Sequence, residues 1–242
     1  MAQHIGIVGC SAEGAALCYR TICLEGEAYF GEHGHPEVSM HTHSLQKYMK
    51  PIYRDDWAAV GELMLDSAAK LAKAGADFLI CPDNTIHQGL DMVRERSSLP
   101  WLHIAEEVAA EASRRGFKKV GLTGTKYLME GPVYPPMFAQ AGIELLAPTP
   151  EERDRINQII FNELVKGDFP PQSLKYFQRV ISNFKSKGCD AVALSCTEIP
   201  LLVSDAKSPL PTLDSTRLLA RAALKRAEEN SQALSQSLSP FR

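Results

Sequence analysis

Short apolar segments alternate with longer amphipathic segments along this chain. Apolar runs bounded by turn residues predict β-strands at residues 4–10, 37–44, 77–82, 118–124, 143–147 and 190–195. Apolar residues at helical spacing predict helices at residues 56–74, 104–115, 150–166 and 173–187. Because strands and helices alternate, we expect an α/β fold of mainly parallel sheets flanked by helices.

The strand pattern occurs twice. Residues 75–83 (GADFLICPD) match residues 188–196 (GCDAVALSC), which lie 113 residues later. Residues 5–10 (IGIVGC) match residues 120–125 (VGLTGT), which lie 115 residues later. Since two pairs of strands repeat at nearly one interval, the sequence predicts two pseudo-symmetric α/β halves.

The repeat sets the expected domain organisation. We expect an N-terminal domain of residues 1–105 that includes a returning C-terminal helix within residues 209–242, and a C-terminal domain of residues 106–208. In open parallel sheets, ligands bind beyond the carboxyl ends of the strands. The sequence therefore predicts an active site in the cleft between the two domains.

Two residues with proton-transfer side chains occupy equivalent positions in the repeat. Asp83 lies six residues after Asp77, and Cys196 lies six residues after Asp190. A planar carbon held between Asp83 and Cys196 can lose a proton on one face and gain one on the other, which is what inversion without a cofactor requires. Glu198 is an alternative general base, although an acidic residue is also favourable at a helix N-terminus.

Small polar residues lie near the predicted strand ends, where their hydroxyls and amides can hold a carboxylate and stabilise enolate-like charge. The same residue types also cap helices, and both interpretations are compatible. The candidate substrate-binding residues at these strand ends are Ser11, Asn84, Thr85, Thr125 and Thr197, together with Glu198.

Composition and charge exclude several classes. The chain has 242 residues, with 26 basic and 29 acidic side chains and a formal net charge of −3. This balance argues against nucleic-acid binding, and no apolar run approaches the roughly 20 residues that span a bilayer. We expect the six cysteines to be reduced thiols and the protein to be cytoplasmic. We expect no metal site, because no cysteine or carboxylate completes a ligand set around His41 and His43.

Two motifs resemble those of the aspartate/glutamate racemases. Residues 81–87 (CPDNTIH) resemble the first cysteine box of that family, and residues 195–202 (SCTEIPLL) are very similar to its second cysteine motif. The loop at 9–13 (GCSAE) and residues 155–164 (RINQIIFNEL) are also similar. The resemblance covers nearly the whole chain.

The resemblance implies a cofactor-independent racemase of two pseudo-symmetric domains that acts as a homodimer on a small substrate with carboxylate groups. It implies that Cys196 is one acid/base group and that Asn84, Thr85, Thr197 and the loop near Ser11 bind the α-carboxylate and amine. A basic residue for a distal carboxylate is implied at Lys166.

One departure changes the expected chemistry, because Asp83 stands where the family has its first cysteine. Ordinary pKa values of Asp and Cys differ by about 4.6 units, or roughly 6 kcal/mol, which favours an Asp83 carboxylate and a Cys196 thiol. Burial of Asp83, and amide donors to Cys196 at a helix N-terminus, would narrow this gap.

Three functions follow from this pair. The first is racemisation of an acidic amino acid, aspartate or glutamate, through Asp83 and Cys196. The second is decarboxylation or cis-trans isomerisation of a dicarboxylate by a single cysteine. The third is a non-catalytic module that binds a dicarboxylate. The motif favours the first, and a shared fold does not by itself decide among them.

Overall fold

The computed structural model describes residues 2–237, and the side chains of residues 2–229. Its strands are β1 (Ile5–Gly9), β2 (Val38–Thr42), β3 (Phe78–Ile80), β4 (Lys119–Thr123), β5 (Glu144–Leu146), β6 (Ala191–Leu194) and β7 (Thr212–Asp214). Its helices are α1 (Ala12–Glu25), α2 (Glu27–Phe30), α3 (Leu45–Ile52), α4 (Trp57–Lys73), α5 (His87–Val93), α6 (Ile104–Arg114), α7 (Lys126–Met129), α8 (Pro135–Gln140), α9 (Pro150–Asn162), α10 (Pro171–Ser186), α11 (Ile199–Leu202) and α12 (Ser215–Ser237).

The strands form two parallel sheets. One has the order β2-β1-β3, and the other has the order β5-β4-β6-β7. Parallel strands need crossover connections, and the amphipathic helices between the strands provide them. The predicted α/β fold of two parallel sheets flanked by helices is confirmed.

The register of the two sheets follows the internal repeat. Ile5 lies opposite Phe78 in the β1–β3 pair, and Val120 lies opposite Ala191 in the β4–β6 pair. These positions are related by the offsets of 115 and 113 residues that the sequence shows. The strand orders β2-β1-β3 and β5-β4-β6 are therefore equivalent in topology.

One strand was missed and one helix boundary was wrong. Strand β7 was not predicted, because its three residues, Thr-Leu-Asp, include only one apolar side chain. The helix expected over residues 150–166 ends at Asn162, where Glu163 leaves the helical region at φ −121° and ψ −71°. A 3₁₀ turn of Leu164–Lys166 follows, and Gly167 at φ 76° ends it.

The chain divides into two compact units. The first comprises residues 1–82, 89–103 and 219–242, and the second comprises residues 83–88 and 104–218. The second unit thus includes Asp83 and the residues that follow it. The domain boundaries expected after residues 105 and 208 stay predictions, and residues 238–242 of the expected C-terminal helix lie outside the described part of the chain.

The repeated Gly-x-Asp motif shapes the turn from helix to strand. Gly75 follows α4 at φ 93°, and Gly188 follows α10 at φ 80°. Such positive φ values favour glycine, which has no Cβ to clash with the backbone. In the Gly188 turn, the amide of Cys189 donates to the carbonyl of Phe184, which closes the end of α10.

The aspartates of the motif attach each turn to the neighbouring strand. The Asp77 carboxylate accepts from the amide of His4, just before β1, at 2.7 Å. The Asp190 carboxylate accepts from the amides of Lys118 and Lys119 at 2.7 and 3.0 Å. The repeat in the sequence therefore has a structural origin, because each copy starts one strand beside another.

Candidate active site

Most of the predicted site residues lie in loops of the second unit. Asp83, Asn84 and Thr85 come after β3, Thr125 comes after β4, and Cys196, Thr197 and Glu198 come after β6. All of them except Thr85 are buried. Loops at the carboxyl ends of parallel strands are where α/β proteins place ligand-binding groups, and the buried polar residues of this chain follow that rule.

The thiol of Cys196 is buried and bonded to a carboxylate. Cys196 is 8% exposed, and its Sγ donates to Oε2 of Glu198 at 3.0 Å. The hydroxyl of Thr197 donates to the same oxygen at 2.8 Å. Two donors on one oxygen are suited to an ionised carboxylate. The structure therefore makes Glu198 the partner of the cysteine.

The pKa of Cys196 lies well above its ordinary value. Burial is the largest cause, the charge of Glu198 and its hydrogen bond follow, and the charge of Asp83 adds to them. The amide of Glu198 acts in the opposite direction and is outweighed. The expected lowering by a backbone amide is therefore present, but burial and the buried Glu198 carboxylate beside the thiol set the net direction.

The influence of Asp83 on Cys196 shows that the two side chains interact electrostatically within one unit. Asp83 is 9% exposed, and its charge disfavours the Cys196 thiolate. The raised pKa of Cys196 keeps its thiol protonated. That Asp83 is the ionised partner stays a prediction. That the two groups face opposite sides of one substrate, in a cleft between two domains, stays a prediction.

A buried network that the sequence did not indicate surrounds Asn84. The phenol of Tyr134 donates to Asn84 Oδ1 at 2.7 Å, and Asn84 Nδ2 donates to Ser215 Oγ at 3.0 Å. Burial raises the pKa of Tyr134 above its usual range, although the hydroxyls of Ser195 and Ser215 act against this effect. Ser215 follows β7, so the strand-end argument would have found it had that strand been predicted.

The hydroxyls of Thr85 and Thr125 pair with each other at 2.8 Å. Thr125 also caps α7, because its Oγ1 accepts from the amide of Leu128 at 3.3 Å. Thr125 can therefore cap a helix and also bind a ligand, which the sequence allows. The substrate-binding role of both threonines stays a prediction.

Two further predicted ligands lie apart from this group. Ser11 belongs to the first unit and caps α1, with its Oγ accepting from the amide of Gly14 at 3.2 Å. Lys166 is exposed in the 3₁₀ turn after α9. Their roles toward a substrate stay predictions.

The histidines at the end of β2, His41 and His43, make hydrogen bonds. His41 Nδ1 lies 2.9 Å from Ser67 Oγ, and His43 Nε2 lies 2.7 Å from Asp66 Oδ2. Burial and the nearby Lys70 lower the pKa of His41. Within the described part of the chain, no group of three or more histidine, cysteine or acidic residues is placed to hold a metal ion.

All six cysteines are free thiols, as the sequence predicts. Among residues 2–237, none of the helices combines the length and the apolar character needed to cross a membrane.

Comparison with known proteins agrees with this architecture. The family model described as Asp/Glu/hydantoin racemase matches residues 7–223. A crystal structure of a candidate Asp/Glu racemase from Yersinia pestis has a TM-score of 0.84 at 30% identity, covering 93% of this chain and 99% of that one. An aspartate racemase homologue from Pyrococcus horikoshii has a TM-score of 0.80 at 27% identity, covering 94% and 99%.

A broad-specificity amino-acid racemase from Bacillus subtilis is 26% identical over 180 residues, which are 72% of this chain and 76% of that protein. The family match, the racemase relatives and the two parallel α/β sheets identify the chain as an isomerase of the racemase class. The chain belongs to the Asp/Glu/hydantoin racemase family.

Proposed function

We propose that this racemase inverts the α-carbon of an acidic amino acid, aspartate or glutamate, by proton transfer through Asp83 and Cys196 without a cofactor. The observation that supports this most directly is the buried Cys196 thiol, which is hydrogen-bonded to Glu198 and sensitive to the charge of Asp83. The protonated Cys196 thiol is then available as the acid, and Asp83 is the base that we assign to the opposite face.

In one direction, the Asp83 carboxylate removes the α-proton and the Cys196 thiol donates its proton to the opposite face. The C–H bond to one face breaks, a C–H bond to the other face forms, and the proton count of the pair is unchanged. Asp83 ends protonated and Cys196 ends as a thiolate. Hydroxyls of Thr85, Thr125 and Thr197 can stabilise the charge that develops on the substrate carboxylate.

The reverse direction needs a Cys196 thiolate, which burial and two nearby acids disfavour. It also needs a protonated Asp83, which takes its proton from solvent and donates it to the opposite face. Glu198 accepts the thiol hydrogen bond at 3.0 Å, so it can take the sulfur proton, leave Cys196 as the base, and return that proton to solvent after turnover. We infer that Glu198 supplies a proton store that lets Cys196 act in both directions. The raised pKa of the thiol also makes its thiolate a stronger base for a weakly acidic α-proton.

We propose that Asn84, Thr85, Thr197 and Ser11 bind the α-carboxylate and amine, and that Lys166 binds the distal carboxylate. Because a carboxylate in water is strongly hydrated, several hydroxyl and amide donors are needed to replace its water shell. We further expect the enzyme to be cytoplasmic and to act as a homodimer. Light scattering of the purified protein tests the oligomeric state.

A wider substrate range is the second candidate. The related enzyme from Bacillus subtilis is described as a broad-specificity racemase, and both Asp83 and Glu198 are buried acids in the second unit. Buried acidic side chains repel a second carboxylate on the substrate and favour its ammonium group. Neutral and basic amino acids therefore belong in the same assay.

The test is incubation in deuterium oxide with both enantiomers of acidic, neutral and basic amino acids. Chiral chromatography measures inversion, and NMR measures deuterium at the α-carbon. We expect inversion with solvent deuterium in the product, and fastest turnover with aspartate or glutamate. Faster turnover of neutral or basic substrates would support the wider range instead.

Three variants test the two proton-transfer groups. Asp83→Asn and Cys196→Ser should each lower kcat at least about 100-fold, since each removes one general acid or base. Asp168→Asn, at an exposed position of the same unit, and Cys189→Ser, at a buried one, are the matched controls. Asp83→Cys should retain inversion, because it gives two groups of similar ordinary pKa.

Other outcomes identify the alternatives. Release of carbon dioxide from a substituted malonate, or fumarate formed from maleate, would show single-cysteine chemistry on a dicarboxylate. Tight binding of a dicarboxylate with neither exchange nor product would show a binding module. Undiminished inversion in Asp83→Asn would contradict the proposed pair.

A further inference from the structure

Two buried hydrogen bonds connect the loop of Asp83 to the strand that precedes Cys196, and a third joins that loop to Tyr134. Tyr134 OH donates to Asn84 Oδ1 at 2.7 Å, Asn84 Nδ2 donates to Ser215 Oγ at 3.0 Å, and Ser215 Oγ donates to the carbonyl of Leu194 at 3.0 Å. Asn84 is the neighbour of Asp83 in sequence. Leu194 ends β6, two residues before Cys196.

The direction of every bond in this network is determined. A backbone carbonyl only accepts, so the Ser215 hydroxyl must donate to Leu194 and can then only accept from Asn84. The amide of Asn84 must therefore present Nδ2 to Ser215 and Oδ1 to Tyr134. A single orientation of Asn84 satisfies all three bonds.

The network is closed to water. Tyr134 and Ser215 are 0% exposed, Asn84 is 2% exposed and Leu194 is 1% exposed. A buried polar group without a hydrogen-bond partner is destabilised by its full desolvation free energy. Removal of one hydrogen bond therefore disturbs the others. The residues come from four separate parts of the sequence, and all lie in the second unit.

We propose that Tyr134 and Ser215 are positioning residues that act through Asn84 to hold Asp83 at the correct separation from Cys196 for proton transfer on opposite faces. This inference rests on the proposed function. Neither residue has to touch the substrate for this role. Positioning matters because inversion requires both groups to be in line with one carbon, whereas exchange on one face requires only one group.

The variants Tyr134→Phe and Ser215→Ala remove the first and last donors of the network. We expect each to lower kcat about 10- to 100-fold, as loss of supporting hydrogen bonds does elsewhere. The diagnostic quantity is the ratio of inversion to α-proton exchange with retention, measured in deuterium oxide. We expect this ratio to fall about fivefold or more, because a misplaced second group cannot protonate the carbanion before the first one does.

Thr123→Val is the matched control. The Thr123 hydroxyl is fully buried and donates to the carbonyl of Ala193 at 2.8 Å, one residue before Leu194. It makes the same kind of bond to the same strand without a link to Asn84. We expect its ratio of inversion to exchange to equal that of the wild type.

A second readout needs no activity. Alkylation of Cys196 by iodoacetamide, quantified by peptide mass spectrometry, reports opening of its loop, and Cys189, buried in the same unit, reports global unfolding. We expect the rate at Cys196 relative to Cys189 to rise about five- to tenfold in Tyr134→Phe and Ser215→Ala. Thr123→Val should leave this relative rate unchanged.

The outcomes separate the two proposals. If inversion and exchange fall together in both variants, and Cys196 alkylation changes only in step with Cys189, the residues support the fold alone and the inference is overturned. If the wild type neither inverts nor exchanges any amino acid, the proposed function fails. The relative alkylation rate then still decides whether Tyr134 and Ser215 hold the Cys196 loop, and an unchanged rate rejects it. If one variant does not fold, the other carries the test.

Discussion

Cys196 and Glu198 form the part of the site in which single side chains control the chemistry. Their hydrogen bond at 3.0 Å and the burial of both residues keep the thiol protonated. The sequence indicates that both residues follow one strand. It does not indicate the direction of the pKa change, because that direction depends on burial and on which acids surround the sulfur.

Glu198→Gln should lower the pKa of Cys196, because it removes the charge that disfavours the thiolate while burial still keeps the pKa above its ordinary value. Racemisation should nevertheless slow about tenfold or more, since glutamine cannot store the proton. The pH dependence of Cys196 alkylation and the racemisation rate measure the two effects.

Glu163→Gln is the control for this change, because the Glu163 carboxylate lies in the same unit and pairs with Ser173 and Arg155 instead. Faster racemisation in Glu198→Gln would show that the acid only suppresses the thiolate. An unchanged alkylation profile would show that its charge does not act on Cys196.

At the scale of secondary-structure elements, the repeated motif explains why the sheets form in the observed register. The turn glycine ends each helix, and the aspartate two residues later accepts from amides at the start of the neighbouring strand. The sequence shows the repeat directly. The hydrogen bonds by which the aspartates hold the neighbouring strands join residues more than 70 positions apart, so only the folded chain shows them.

Gly188→Ala should lower the free energy of unfolding by about 1 kcal/mol. Its φ of 80° disfavours a residue with a Cβ, and the structure leaves open space around that position, so backbone strain is the only cost. Urea unfolding followed by circular dichroism measures the change. Lys187→Ala, one residue earlier at φ −90° and exposed, should change stability by less than about 0.5 kcal/mol. Equal losses in the two variants would contradict the assignment of strain to Gly188.

For the whole molecule, stability in acid should reflect the carboxylates that accept backbone amides. The amides of Lys118 and Lys119 hold the pKa of Asp190 below its ordinary value. A lowered folded-state pKa means that the contribution is fully present above the ordinary value of about 3.9 and is lost as the pH falls through the lower folded value.

Asp190→Asn should therefore be less stable than the wild type at about pH 6, and the difference should shrink toward zero near pH 2. Urea titrations across this range measure the difference in unfolding free energy. Asp168→Asn, an exposed acid of the same unit, is the control. A difference that stays constant with pH would mean that the Asp190 charge is not the stabilising group.

The sequence by itself determined the α/β class, the doubled strand pattern, the family, and the places of Asp83 and Cys196 after two strands. These properties are local, because they depend on apolar periodicity, turn residues and short motifs. Only the tertiary structure decided that Glu198 holds the Cys196 thiol and that Tyr134 and Ser215 hold Asn84. Asn84 and Ser215 are 131 residues apart. Asn84 follows β3 and Ser215 follows β7, which belong to different sheets, and the two residues meet because the segment 83–88 folds as part of the second unit. No local pattern in the sequence records such a contact.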